Sequence, residues 1–366
     1  MIDFNRLKPS ASMEMTQKAN SLRNKGFDVL NLSIGDTHFN LPASLKGNLT
    51  AVPEIASHYG EAQGLFSLRE QIAEEYDGVN ATNVIIVPGL KQGLFYLISS
   101  LGKFKVAVLE PAWLGYQATC VLAGVEYIGI NTYECDWIEA LANEDFDVLI
   151  ICSPNNPDGE VLSIKDSESI LNIVKTKDAF LVVDKIYEKF IYDKSLINSK
   201  NFIPQDRIII AGGFSKSHAM TGHRVGFLVI TESSLAAKII RIQQNLATCP
   251  SNYSQHLLST CVHPVEVNDF IRYYQANVST VLELFPEWET HCPKGGFYFF
   301  VDLKRYGIFD AEKFCLDLLD SHKISLVSGN AYGTGFESFV RISICVEEQT
   351  LRNALVKLKY VLNDRC

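Results

Sequence analysis

Five short apolar runs constrain this chain more than any other feature: Val84-Ile85-Ile86-Val87, Val106-Ala107-Val108-Leu109, Val148 to Ile151, Phe180 to Val183 and Ile208 to Ile210. Each is too short for a buried helix and rich in β-branched residues, and helical spacings alternate with them, Leu68, Ile72 and Tyr76 before the first run and Leu94 to Leu101 after it. Runs of this kind, separated by amphipathic helices, predict strands buried on both faces of a mainly parallel sheet. The expected fold class is therefore α/β. After about Val265 the pattern changes to a long helical region, an alternating strand Phe297 to Leu303, a helix near Ala311 to Ser321 and a strand Val340 to Ile344. With 366 residues the chain exceeds what one hydrophobic core usually serves. The expected division is a large domain over 44–265 and a smaller α+β domain formed by both chain ends, 1–43 and 266–366. The helical pattern Met13 to Lys25 and the strand Val29 to Ser33 join that smaller unit because they precede the first βα unit of the sheet.

Charge and composition remove several functional classes. A net charge of −9 repels a phosphate backbone, and no cluster of Lys and Arg overrides it, so nucleic acid is not expected as a partner. No apolar run approaches a membrane span, and Met1 to Ser12 lacks the apolar centre of a signal peptide, so the expectation is a cytoplasmic protein without a membrane partner. The nine cysteines include no C-x-x-C pair and no metal-ligand spacing, which points to reduced thiols and to no metal site.

In an open α/β sheet, ligands bind beyond the carboxyl ends of the strands. Three of the predicted strands end in reactive or polar groups. Val148 to Ile151 runs into Ser153-Pro154-Asn155-Asn156-Pro157-Asp158-Gly159; Phe180 to Val183 ends at Asp184, with Tyr187 beyond; Ile208 to Ile210 opens into Gly212-Gly213-Phe214-Ser215-Lys216, followed by Arg224. Alone, a Val-Val-Asp reads as a helix cap and a loop lysine as a solvated side chain. Trp113 and Tyr116 alone read as core aromatics. It is their order along one sheet edge that argues for chemistry.

This combination resembles the fold-type I pyridoxal phosphate (PLP) enzymes, specifically the class I and II aminotransferases related to bacterial aspartate aminotransferase. The resemblance runs from Lys8-Pro9-Ser10 through Ser33-Ile34-Gly35-Asp36, His58-Tyr59-Gly60, Ser153 to Gly159, Asp184 to Tyr187 and Ser215 to Gly226, to Val340-Arg341-Ile342-Ser343. It implies a seven-stranded type of sheet sandwiched by helices, and a PLP cofactor bound as a Schiff base on Lys216. The activity it implies moves an amino group between an amino acid and a keto acid in two half-reactions, with glutamate as donor. By the same resemblance Asp184 keeps the ring nitrogen protonated, and Asn156 and Tyr187 bond the ring hydroxyl oxygen. Trp113 stacks on the ring. Gly89, Leu90, Lys91, Ser215 and Arg224 serve the phosphate, Arg224 in two-pronged fashion. Arg341, helped by Gly35 and Asn156, grips the substrate α-carboxylate. Tyr59 reaches the phosphate of a neighbouring subunit, which implies a homodimer.

Four positions depart from the family pattern: Asp158 stands where threonine is usual, Lys185 where glutamate is, His223 where an aromatic residue is, and Gly213 where many relatives have serine. They leave the choice of substrate open. For a second substrate carboxylate the candidates are Arg6, Lys91 and the histidines, and His38, His218 and His223 are otherwise expected to be structural. Two alternatives stay open at this point: another PLP reaction on the same fold, such as a decarboxylase or a C–S/β-lyase, and a non-catalytic PLP-fold regulator. The last needs a DNA-binding module, for which neither end has room.

Overall fold

In chain order the described strands are β1 (Leu30–Asn31), β2 (Val84–Val87), β3 (Lys105–Glu110), β4 (Glu126–Asn131), β5 (Val148–Cys152), β6 (Phe180–Asp184), β7 (Ile208–Gly213) and β8 (Gly226–Val229). They are followed by β9 (Tyr298–Asp302), β10 (Ile324–Ser325), β11 (Val327–Ser328) and β12 (Phe339–Ser343). The structure, a computed structural model, describes residues 7, 9–102, 104–134, 136–196 and 202–364; Arg6, Lys8, Cys135 and Cys366 lie outside them.

Seven strands form the central sheet in the order β2-β8-β7-β6-β5-β3-β4. All its pairings are parallel except those of β8, which runs antiparallel to both β2 and β7. The period-2 geometry of a strand explains how such apolar runs are used up. Val84, Ile86, Leu149, Ile151, Leu181, Val183, Ile208 and Ile210 pack into a core on one face. Ile85, Val87, Val148, Ile150, Val182 and Ile209, the residues between them, pack into a second core on the other. A strand with one solvated face could not carry these sequences without exposing half of its valines and isoleucines, so helices must cover both sides.

Each of the five predicted runs is a strand of this sheet. The two strands not anticipated are β4 and β8. β4 lies at the sheet edge, with an exposed and half-buried pattern that dilutes its apolar signal. β8 is four residues long and follows directly on the segment that carries Lys216 and Arg224, where motif and strand share one stretch of sequence.

The two chain ends meet beside the sheet. β1 pairs in parallel with β10, and β11, β12 and β9 form an antiparallel three-stranded sheet. Helix Ala11–Asn24 buries Met15 and Ala19 in the same core as the long helix Val267–Leu284 and the final helix Glu348–Asn363. No helix among the described residues is long and apolar enough to cross a membrane, and the described cysteines are free thiols.

Candidate active site

The register of the central sheet brings its carboxyl ends level. Cys152 stands opposite Asp184, and Asp184 opposite Ala211, so the segments leaving β5, β6 and β7 start side by side. β2 and β3 end on the same edge, releasing Gly89-Leu90-Lys91 and Pro111-Ala112-Trp113. β8 begins there because it runs the opposite way, which places Arg224 beside the start of the helix Leu90–Leu101. The result is a cavity of about 350 Å³ bordered by Gly35, Leu90, Lys91, Trp113, Asn156, Asp184, Tyr187, Ser215, Lys216, Arg224 and Arg341. A larger groove of about 910 Å³ runs past Lys189 and Arg272; within it Lys189 pairs with Glu75 and Lys185 with Glu188, and the predicted site residues converge on the smaller cavity.

Two predicted residues do not border the cavity. Gly89 caps the helix from just behind it with φ +82°, and its missing Cβ makes room for the Arg224 guanidinium, which any side chain there would strike. Tyr59 is 86% exposed and does not border its own chain's cavity.

Asp184 sits at the cavity floor, 2% exposed. It accepts hydrogen bonds from the Tyr116 hydroxyl at 2.7 Å and the Ile186 amide at 2.9 Å. Burial pushes its carboxyl up to about 6, against the opposing pull of these two bonds. No cation lies within ion-pair distance of it among the described residues. Lys216 donates to the Gly35 carbonyl, and burial lowers its amine from the usual lysine range, helped by the positive charges of Arg341 and Arg224 and opposed by Cys345 and Asp36.

Asn156 joins two parts of the site. Its Nδ2 reaches the Tyr187 hydroxyl at 3.4 Å, and its Oδ1 accepts from Arg341 at 3.1 Å. The Arg341 guanidinium also donates to the Ser33 carbonyl at 2.6 Å and lies over the rings of Tyr298 and Tyr332 at 4.3 and 5.3 Å. Its Nε has no partner despite being buried. Tyr187 and Tyr298 share a hydrogen bond of 3.2 Å. Elsewhere on the cavity border the Arg224 side chain donates to the Thr221 carbonyl, and Lys91 lies 5.1 Å over the Trp113 ring, its amine lowered by burial and then by Arg224. Tyr116, Tyr298 and Cys152 border the cavity without having been singled out for a role.

The four departures are accommodated locally. Lys185 points away from the cavity, paired with Glu188 at 2.8 Å and lying over Tyr76. At Gly213 an added Cβ would lie 3.2 Å from Gly226 Cα and from the end of Ile186, so a serine there needs these neighbours to give by a few tenths of an ångström. His223 makes a long contact of 3.4 Å with Ser254. Asp158 is buried within the Asn156 turn. Of the other histidines, His218 is held between Ser217 Oγ and the Val262 carbonyl, where burial pushes it down to about 4, and His38 packs on Phe39 and Tyr273. None of these three borders the cavity.

A buried carboxylate and two cations that have no partners of opposite charge among the described residues fit a flat ligand with a basic ring nitrogen and a phosphate. The fold and this donor set are those of a PLP-dependent enzyme. Residues 28–358 match the sequence model of the family described as aminotransferase class I and II, and the chain belongs to that family. It is 30% identical to the aromatic-amino-acid aminotransferase 2 of Thermococcus litoralis, with 92% of each chain covered, and 29% identical to the aspartate aminotransferase of Thermotoga maritima, with 97% of each covered. The crystal structure of the aspartate aminotransferase from Thermotoga maritima superposes with a TM-score of 0.87 at 28% identity, over 98% of this chain and 99% of that one. The protein is thus a PLP-dependent aminotransferase acting on amino-acid and keto-acid substrates, and the decarboxylase, lyase and regulator alternatives are not favoured.

Proposed function

We propose that Lys216 holds PLP as a Schiff base and that Asp184, Asn156, Tyr187, Trp113, Ser215, Arg224 and the Gly89-Leu90-Lys91 helix start form its cradle. The observation that carries this reading is that Lys216, Asp184 and Arg341 border one cavity, with Asn156 bonded to both Tyr187 and Arg341. When bound there, PLP supplies an electron sink for the substrate α-carbon. Asp184 would accept a hydrogen bond from the ring nitrogen and so keep that nitrogen protonated. Its present partners are a phenol and an amide, so it has a lone pair free for that nitrogen. Asn156 and Tyr187 direct donors at the ring oxygen. Arg224 and the first amides of the helix Leu90–Leu101 bind the phosphate through charge and the helix dipole.

Arg341 binds the substrate α-carboxylate. Asn156, the Ser33 carbonyl and the two tyrosine rings fix its plane, so the carboxylate meets a pre-oriented two-pronged donor. Lys216 Nζ then moves the proton from the substrate α-carbon. Burial favours the neutral amine that this step requires. The division into a large domain over 44–265 and a smaller one from 1–43 and 266–366 puts the proton carrier and the carboxylate clamp on opposite walls of the seam. Glutamate is the donor we expect, the protein works in the cytoplasm, and Tyr59, exposed on its own chain, reaches a partner's phosphate in a homodimer.

The test is spectroscopic. Wild-type protein reconstituted with PLP should show a visible absorption band that glutamate bleaches and a keto acid restores. Release of carbon dioxide or ammonia in place of a keto acid would overturn the assignment. A narrower prediction concerns Arg341→Lys, which keeps the charge and loses the fork: kcat/KM for amino acids should fall about 100-fold, mostly through KM. A change under fivefold in steady-state kinetics would show that the α-carboxylate is bound elsewhere.

A further inference from the structure

The Asn156 turn and the Trp113 loop leave different strands, yet both must face the same cofactor ring. One side chain joins them. Asn155 Nδ2 donates one hydrogen to the Pro111 carbonyl at 2.8 Å and the other to Asp158 Oδ1 at 2.9 Å. Pro111 begins the loop that ends in Trp113 and then delivers Tyr116 to Asp184. The same Asp158 oxygen accepts the Glu160 amide at 3.1 Å, while the Asn155 amide bonds the Glu160 carbonyl and the Gly159 amide bonds the Asn155 carbonyl. Asp158 is 7% exposed, and no cation among the described residues contacts it; the charged neighbour, Glu160, is engaged by Lys294. Cys152 and Tyr133 are the remaining titratable groups near it.

A threonine here, the residue usual in the pattern this sequence resembles, can also accept two hydrogen bonds, but from a hydroxyl one bond nearer the backbone than the Asp158 Oδ1 that meets both donors here. Burying an acid without a cation is costly, and burial pushes this carboxyl up to about 6, so its position calls for an explanation other than stability. We propose that Asp158 is a positioning residue: through the Asn155 amide it ties the turn carrying Asn156 to the loop carrying Trp113 and Tyr116, so that the cofactor's ring is met by one rigid wall. This rests on the cavity being the PLP site, but the tie itself exists without cofactor. It acts through hydrogen-bond acceptance, so a neutral acceptor at the same place should preserve it, and the wall should be as firm below pH 6 as above.

The decisive measurement is amide hydrogen exchange on the cofactor-free full chain, with PLP affinity measured separately by tryptophan fluorescence. Asp158→Ala should speed exchange at least tenfold, the equivalent of about 1.4 kcal/mol, both at 155–160 and at 112–116, which lie far away in sequence. PLP affinity should weaken by a similar factor. Asp158→Asn, which keeps an acceptor oxygen and removes the buried charge, should leave 112–116 protected and restore PLP binding to within about threefold. Asn155→Ala should reproduce the two-segment pattern, and the double alanine variant should exceed neither single one. Faster exchange confined to 155–160 in Asp158→Ala overturns the proposal, and so does an unaffected 112–116 segment in Asn155→Ala, which decides the matter even if Asp158→Ala does not fold. A wild-type protein that fails to bind PLP would instead strike at the cofactor reading and leave the exchange result to stand on its own.

Discussion

Lys216→Ala should lose transamination by about 10⁴-fold in kcat while still binding PLP. The magnitude follows from removing a general acid–base group whose proton transfer lies on the reaction path. PLP affinity is expected to survive in large part because Asp184, Arg224 and the Leu90–Leu101 helix start remain. Addition of a small primary amine such as methylamine should restore part of the rate, since the missing function is an amine at a defined place and alanine leaves space for one. Single-turnover absorbance with glutamate reads both quantities. Activity retained within tenfold would remove Lys216 from the reaction.

The second large effect concerns Asp184 and has two parts of opposite sign. Asp184→Asn should lower kcat/KM by about 10³-fold, because an amide cannot hold a ring nitrogen protonated. In the cofactor-free protein the same substitution should stabilise. Burial raises the Asp184 carboxyl from 3.8 to about 6. Between those values the folded protein keeps a proton that the unfolded chain has released, so stability falls as pH rises through this window and stays lower above it. The deficit is on the order of 3 kcal/mol at pH 8. Asparagine carries no such deficit: cofactor-free Asp184→Asn should melt above wild type at pH 8, and the advantage should shrink as the pH falls toward 4.5. With PLP bound, a ring N–H⁺ against the carboxylate removes the deficit in the wild type, so the order of melting temperatures should reverse. Equal melting curves for the two cofactor-free proteins at pH 8 would mean that Asp184 is solvated and is no partner for a buried cation.

How much of this could be read from sequence depended on the kind of signal each residue leaves. Buried parallel strands are visible because both faces demand apolar residues, which is why β2, β3, β5, β6 and β7 stood out and the partly exposed edge strand β4 did not. The groups bordering the cavity were found where motif and strand end coincide: Asn156, Asp184, Lys216 and Arg224. Tyr116 reads equally well as a core aromatic from sequence, although it stands three residues from Trp113; the two rings meet edge to face at 5.3 Å. Tyr298 had no comparable signal. It reaches Arg341 diagonally across the β9–β12 register, in which Arg341 pairs with Phe300 and Ser343 with Tyr298, and pairing between strands so close in sequence to unrelated helices is invisible to periodicity. Asp158 was noticed as an oddity. Its partner Asn155 and the link to Pro111 are tertiary facts.

The hydrogen bond from Arg341 to the Ser33 carbonyl spans 308 residues. During synthesis, every group that one chain gives to its own proposed cradle, from Gly89 to Arg224, leaves the ribosome before Arg341 does, and Ser33 waits through all of it. The sheet can close around its cofactor while the clamp for the amino acid has only one half made. A nascent chain therefore has the means to acquire its cofactor before it has the means to bind a substrate.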